Sequence, residues 1–135
     1  MSPTVRRATE ADLAFWRTLD HHISESEFRR KVRDGMAFVI CADGAPIGVL
    51  RYSLFWDEHP FCNLLYIAEE RQRQGCGRAL MQAWEAEMRD MGYKTVLVST
   101  QADEEAQHFY RKLGYLDCGC LLLGDAAELF LRKDL

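Results

Sequence analysis

The sequence predicts an α/β fold: a single domain with a mixed, mostly antiparallel sheet, one central parallel strand–helix–strand unit, and helices on both faces. Three observations carry that prediction. Short apolar runs with strand-like composition alternate with segments whose apolar residues recur at helical spacing. The stretch 61–100 reads strand, long helix, strand, and such a crossover requires its two strands to lie parallel. At 135 residues with 48% hydrophobic side chains, the chain can fill one core and is short for two.

The elements follow in order. Residues 4–8 form a short strand, β1. Thr9 reads as an N-cap with Asp12 as its partner, opening α1 with Leu13, Trp16 and Leu19 on one face. Ser24 and Glu27 repeat that signature and open α2, whose Phe28 and Val32 turn inward while Arg29, Arg30, Lys31 and Arg33 face water. This helix stops at Asp34-Gly35. Residues 36–42 form β2, Asp43-Gly44 a hairpin turn, and 46–56 the longer β3. Asp-Glu-His-Pro (57–60) turns the chain into β4 at 61–68. Helix α3 runs from Gly75 to about Met91; Leu80, Trp84, Met88 and Met91 form its core stripe, and Gly92 closes it. Then come β5 (94–100), α4 (103–114, ending at Gly114), β6 (115–123) and β7 (128–135).

Composition excludes several functions. No apolar run is long enough for a membrane span, and the start Met-Ser-Pro-Thr-Val-Arg-Arg has no signal-peptide core, so a cytoplasmic protein is expected. Seventeen basic against 21 acidic residues leave a net charge of −4, which argues against nucleic acid as a partner. Five scattered cysteines without a C-x-x-C read as buried thiols in a reducing compartment, and no metal site is expected. The four histidines single out no site. The chain is expected as a monomer or homodimer.

The segment Arg-Gln-Arg-Gln-Gly-Cys-Gly-Arg (71–78), between β4 and α3, carries the chemistry. A helix N-terminus offers unpaired N–H groups and the positive end of the macrodipole, and glycines let an anion approach the backbone. A phosphate cradle, a tight turn with a basic rim and a nucleic-acid contact all fit the segment alone. A P-loop is excluded because Arg78-Ala79 follows Gly77 where Lys-Ser/Thr is required. A dinucleotide fingerprint is excluded because Leu80 stands where a third small residue belongs.

The spacing of Gln72, Gly75 and Gly77 matches Q/R-x-x-G-x-G/A. It resembles the acetyl-coenzyme-A pyrophosphate loop of GNAT-type N-acetyltransferases. Downstream, Asp103, Ala106, Tyr110, Gly114 and Tyr115 are similar to that family's second signature, N-x-x-A-x-x-x-Y-x-x-x-G-F/Y. The order of elements over the whole chain fits the same family. Three departures stand out: Glu69 replaces a usual proline, Asp103 replaces Asn while still able to cap α4, and no strand glutamate occupies the places of a general base, where Phe61, Asn63 and Val98 stand.

The resemblance implies roles residue by residue. Leu65, Tyr66 and Ile67 of β4 would pair with the pantetheine arm. The backbone of Arg73, Gln74, Gly75, Cys76, Gly77 and Arg78, with Gln72, would hold the pyrophosphate, and Asp103 would lie beside the cofactor. Tyr110 would protonate the departing thiolate, a reasonable match for a phenol near pKa ~10. The turn residues Trp56, Asp57, Glu58 and His59 are candidates for the acceptor side, with Tyr52, Phe55 and Phe61 as possible lining. Cys76 as a covalent nucleophile is disfavoured, since no base is placed beside it. The implied activity is acetyl transfer from acetyl-CoA to an amine, on a small molecule or a peptide. The alternative is a non-catalytic acyl-CoA-binding module.

Overall fold

The computed structural model describes residues 2–135. Among the described residues seven strands form one sheet in the order β1-β2-β3-β4-β5-β7-β6. The strands are β1 (Thr4–Arg7), β2 (Ala37–Ala42), β3 (Ala45–Phe55), β4 (His59–Ile67), β5 (Thr95–Gln101), β6 (Leu116–Leu122) and β7 (Ala127–Asp134). The pair β4–β5 is parallel and the other neighbours are antiparallel, as the crossover reading requires.

Alternation along the strands divides the core in two. Phe38 and Ile40 of β2, Leu50 and Tyr52 of β3, and Val96 and Val98 of β5 share a cluster with Leu80, Trp84 and Met88 of α3 (Cys76–Asp90) and with Tyr110 of α4 (Ala106–Lys112). Ala37, Val39 and Val49 point the other way, against Trp16 of α1 (Leu13–Leu19) and Phe28 of α2 (Glu25–Arg33). One face is therefore lined by α3 and α4. The other is covered by α1 and α2 over its β1–β4 half.

Most local signals act as expected. The Thr9 N–H donates to Asp12 Oδ2 at 2.8 Å, and the Glu27 N–H donates to Ser24 Oγ at 3.1 Å. Asp43 and Gly44 both take positive φ, as a tight hairpin turn demands.

Six details differ from the sequence reading. A 3₁₀ turn, Glu10–Asp12, precedes α1. Lys31 is not solvated: its Nζ donates to the Tyr52 carbonyl at 2.6 Å, and burial lowers its pKa. Met91 is the C-cap of α3 and is 53% exposed, because the helix ends before its side chain can reach the sheet. The β3–β4 loop is only Trp56–Glu58, since Phe55 pairs with His59 and Pro60 already lies in β4. Tyr52 is core, packed against the Trp84 ring at 5.8 Å. Cys118 and Cys120 are exposed on β6, a sheet-edge strand, while Cys41, Cys62 and Cys76 are buried.

Candidate functional site

The parallel strands separate early. β4 and β5 share two rungs, Phe61↔Leu97 and Cys62↔Val98. Where these stop, β4 bulges: Arg51 faces Leu64 and Tyr52 faces Cys62, which leaves Asn63 as the extra residue. A bulge adds local twist and turns a strand from its neighbour. From Asn63 to Ile67 the edge of β4 toward β5 has no strand partner among the described residues. The opening is a cavity of about 580 Å³ with Asn63, Ser99 and Tyr110 in its lining. His22, Glu104 and Glu128 also line it.

Tyr110 reaches the slot from the middle of α4 and is 7% exposed. Burial raises its pKa far above the ordinary phenol range, and the neighbouring Cys62 and Glu104 push the same way. The hydroxyl therefore keeps its proton across the neutral range and acts as a donor.

A second cavity, of about 520 Å³, shares Tyr110 with the first and extends toward the glycine loop. It brings together Leu65, Tyr66, Ile67, Gln72, Arg73 and Gly77. The loop is built to present backbone. Gly75 is the N-cap of α3 at φ +85°, and Arg73 also takes positive φ, +62°. The N–H groups from Gly75 to Arg78 come before the first intrahelical acceptor, since the first bond across the cap runs from the Ala79 N–H to the Gly75 carbonyl. Gln72 secures the loop by donating from Nε2 to the Ile67 carbonyl at 2.9 Å. Arg71, Arg73 and Arg78 take part in none of the ion pairs among the described residues, so their charge is available to an anion.

The remaining sequence candidates divide. Gln74 and Arg78 are exposed in or beside the loop. Cys76 is 6% exposed in the core, so only its backbone faces the loop. Asp103 is exposed and lines neither cavity; it does not cap α4, which starts at Ala106 behind Glu105 without a side-chain cap. Gln107 instead ties α4 to the turn before it, donating from Nε2 to the carbonyls of Ala102 and Glu104. Trp56, Asp57, Glu58 and His59 sit at the other end of β4 and line neither cavity. Trp56 and His59 border a separate hollow.

Three slot residues escaped the sequence reading. His22 lies between the two N-terminal helices. Its N–H donates to Asp20 Oδ1 at 3.1 Å, and buried Asp20 also accepts from Trp16 Nε1 at 2.9 Å and Arg51 Nε at 2.8 Å. Glu104 sits in the turn before α4. Glu128 arrives from β7, where it pairs with Gln101. The adjacent Asp-His-His between two capped helices was the available signal for His22. Glu128 is 65 residues from Asn63 in sequence, and only the sheet order unites them.

The two glycines differ as probes. A Cβ on Gly77 would stand 3.3 Å from the Phe109 ring, so that position is also small for packing; a Cβ on Gly75 would meet nothing within 4 Å. Gly75→Val is expected to keep the fold, with a loss of about 1–2 kcal/mol from left-handed backbone strain, while weakening coenzyme A binding about tenfold or more. Thermal unfolding and calorimetric titration check the two halves. Loss of fold with unchanged affinity in the folded fraction would show that the loop is only a turn.

Comparison with known proteins agrees with this geometry. The chain is 29% identical to aminoglycoside N(6')-acetyltransferase type 1 from Stenotrophomonas maltophilia, over 79% of this chain and 81% of that one. Its fold matches Ard1 from Thermoplasma volcanium with a TM-score of 0.88, at 19% identity over 100% of this chain and 99% of that one. It also matches a Bacillus anthracis str. Ames protein solved in complex with acetyl coenzyme A, with a TM-score of 0.85 at 12% identity, over 99% of this chain and 100% of that one. The family model described as Acetyltransferase (GNAT) family matches residues 5–115, the span that holds the glycine loop, the splayed strands and Tyr110, and the chain belongs to that family.

Proposed function

We propose that this acetyltransferase moves an acetyl group from acetyl coenzyme A directly to a primary amine on a cationic acceptor. The observation that carries the reading is the unpaired edge of β4, which runs from the glycine loop to Tyr110. A pantetheine arm has amides that need partners, and this edge offers backbone groups without a strand partner, of which the Ile67 carbonyl is already held by Gln72. A diphosphate needs converging N–H donors and positive potential; the start of α3 with Arg71, Arg73 and Arg78 offers both. The residues present thus fit the coenzyme, which would supply the activated thioester. The solved complex with acetyl coenzyme A, on the same fold, supports the same donor.

The chain's own groups then divide the work. Holding both reactants in one slot lowers the barrier by about 7–11 kcal/mol through proximity alone. Buried Tyr110 keeps its proton and presents it to the departing sulfur. An ammonium must lose a proton before it can attack, and among ordinary side chains imidazole is better matched to that task at neutral pH than carboxylate. His22 takes that proton, and Glu104 and Glu128 draw the cation into the slot. The aminoglycoside relative points to the same acceptor class, a small molecule with several amino groups.

The test is a panel of amines with release of free coenzyme A thiol as the readout. Spermidine and kanamycin are expected to turn over faster than a peptide N-terminus. Glu128→Gln is expected to lower kcat/KM for the polycations about tenfold. Binding of coenzyme A with no turnover of any amine would overturn the enzyme reading in favour of a binding module.

A further inference from the structure

Strands β5 and β7, which border the slot, also border a second, separate hollow. Along β5, Gln101 and Ser99 line the slot, and Leu97 and Thr95, two and four residues on from Ser99, line this hollow. Along β7, Glu128 lines the slot, and Phe130 and Arg132 line the hollow. Residues two apart on a strand share a face, so the two recesses follow each other along the same strands, about 7 Å apart. The α1–α2 cover does not reach this far: no residue of those helices lines the hollow, whose volume is about 490 Å³.

Phe55, Trp56 and Phe130 share its lining with Arg132 and the β6 thiols Cys118 and Cys120, and Phe61 packs against two of these rings. Phe61 and Phe130 have ring centroids 5.5 Å apart, and Phe55 lies 6.3 Å from the first and 6.4 Å from the second. Trp56 packs on Phe55, with ring centroids 4.8 Å apart, and is 75% exposed. Its backbone is held at φ +56° and that of Asp57 at φ +60°. A bulky residue in the left-handed region is an outlier, and turns of this kind ordinarily recruit Asn-Gly. An exposed indole in a strained turn, beside a packed aromatic floor, is the pattern of a displayed binding surface.

We propose that this hollow is the subsite for the apolar or aromatic body of the acceptor whose amine enters the slot. The inference rests on the acetyl-transfer reading. The shared strand register decides the occupant: a molecule with an amine at Ser99 and Glu128 places groups about 7 Å away over Leu97 and Phe130. A flat ring gains there by stacking and by removal of apolar surface from water.

The test compares 4-phenylbutylamine with n-butylamine, which share the amine and differ by the ring. The wild-type chain is expected to prefer the aryl amine by about tenfold or more in kcat/KM. In Trp56→Gly, which relieves the positive φ, and in Phe130→Leu, the ratio is expected to fall to within about threefold of unity. The same pair is titrated by calorimetry with coenzyme A present, so that preference is read even without turnover. Aryl preference in binding with no acetylation of either amine would overturn the acetyl-transfer reading while supporting the subsite. Equal treatment of the two amines by the wild type would overturn the subsite while leaving transfer intact. An unchanged aryl ratio in both variants, with Trp56→Gly splitting a dimer by light scattering, would show instead that the face belongs to a second copy.

Discussion

Tyr110→Phe is expected to lower kcat by about 10² to 10⁴-fold while coenzyme A binding stays within about twofold. The ring remains, so its edge contacts with Phe109 at 5.2 Å and Tyr115 at 5.8 Å persist and the core keeps its shape. What is lost is the slot's buried phenol hydroxyl, which burial keeps protonated. Because no carbon is removed from the core, the melting temperature should move by no more than a few degrees. Single-turnover release of free thiol separates the chemical step from binding. A wild-type rate in this variant would remove Tyr110 from the chemistry.

The second large effect is expected far from the reacting atoms. Asp20→Ala should cost about 3 kcal/mol, because Asp20 is 2% exposed and its partner Arg51 is left without a counter-charge beneath the α1–α2 loop. That corresponds to a fall in melting temperature of roughly 10 °C. Burial by itself would raise the Asp20 pKa, but hydrogen bonds from Arg51, Trp16 and the His22 N–H outweigh it and hold the pKa below its ordinary value. A carboxylate with a depressed folded-state pKa stabilises above its unfolded pKa, near ~4, and loses that contribution as pH falls toward the folded value. The gap in stability between wild type and variant should thus be flat at neutral pH and shrink below about pH 4. Since Asp20 also holds His22, kcat/KM should fall in the fraction that remains folded. A pH-independent gap, or unaltered kinetics, would separate this anchor from the site.

Much of this molecule was legible in the sequence because its signals are local. Caps at Thr9 and Ser24, the Asp43-Gly44 turn and the stripe Leu80, Trp84 and Met88 each act within a few residues, and each appears where the pattern put it. The loop from Gln72 to Gly77 was legible for the same reason: its spacing is that of a known anion cradle, and the structure carries it to the mouth of the slot. The grouping of His22, Glu104 and Glu128 around the slot was not legible, because they come from a loop after α1, a turn before α4 and the start of β7. Their meeting depends on β7 inserting between β5 and β6, which no periodicity reveals. Asp103 does not cap α4 because the helix starts at Ala106, one turn later than the motif spacing suggests, which leaves Asp103 in the preceding turn and exposed. Lys31 misled because helical spacing does not say which charged side chain will find a buried carbonyl.

The two-rung contact between β4 and β5 has a consequence for folding and solubility. An unpaired strand edge normally lies at the rim of a sheet, where it invites another chain to add itself. Here the bare edge lies in the interior of the strand order, flanked by α4 and by the Glu104 turn. A neighbouring molecule cannot align a strand along it without first prising the domain apart. The fold thereby keeps a strip of peptide groups without a strand partner that is open to a slender ligand and closed to aggregation.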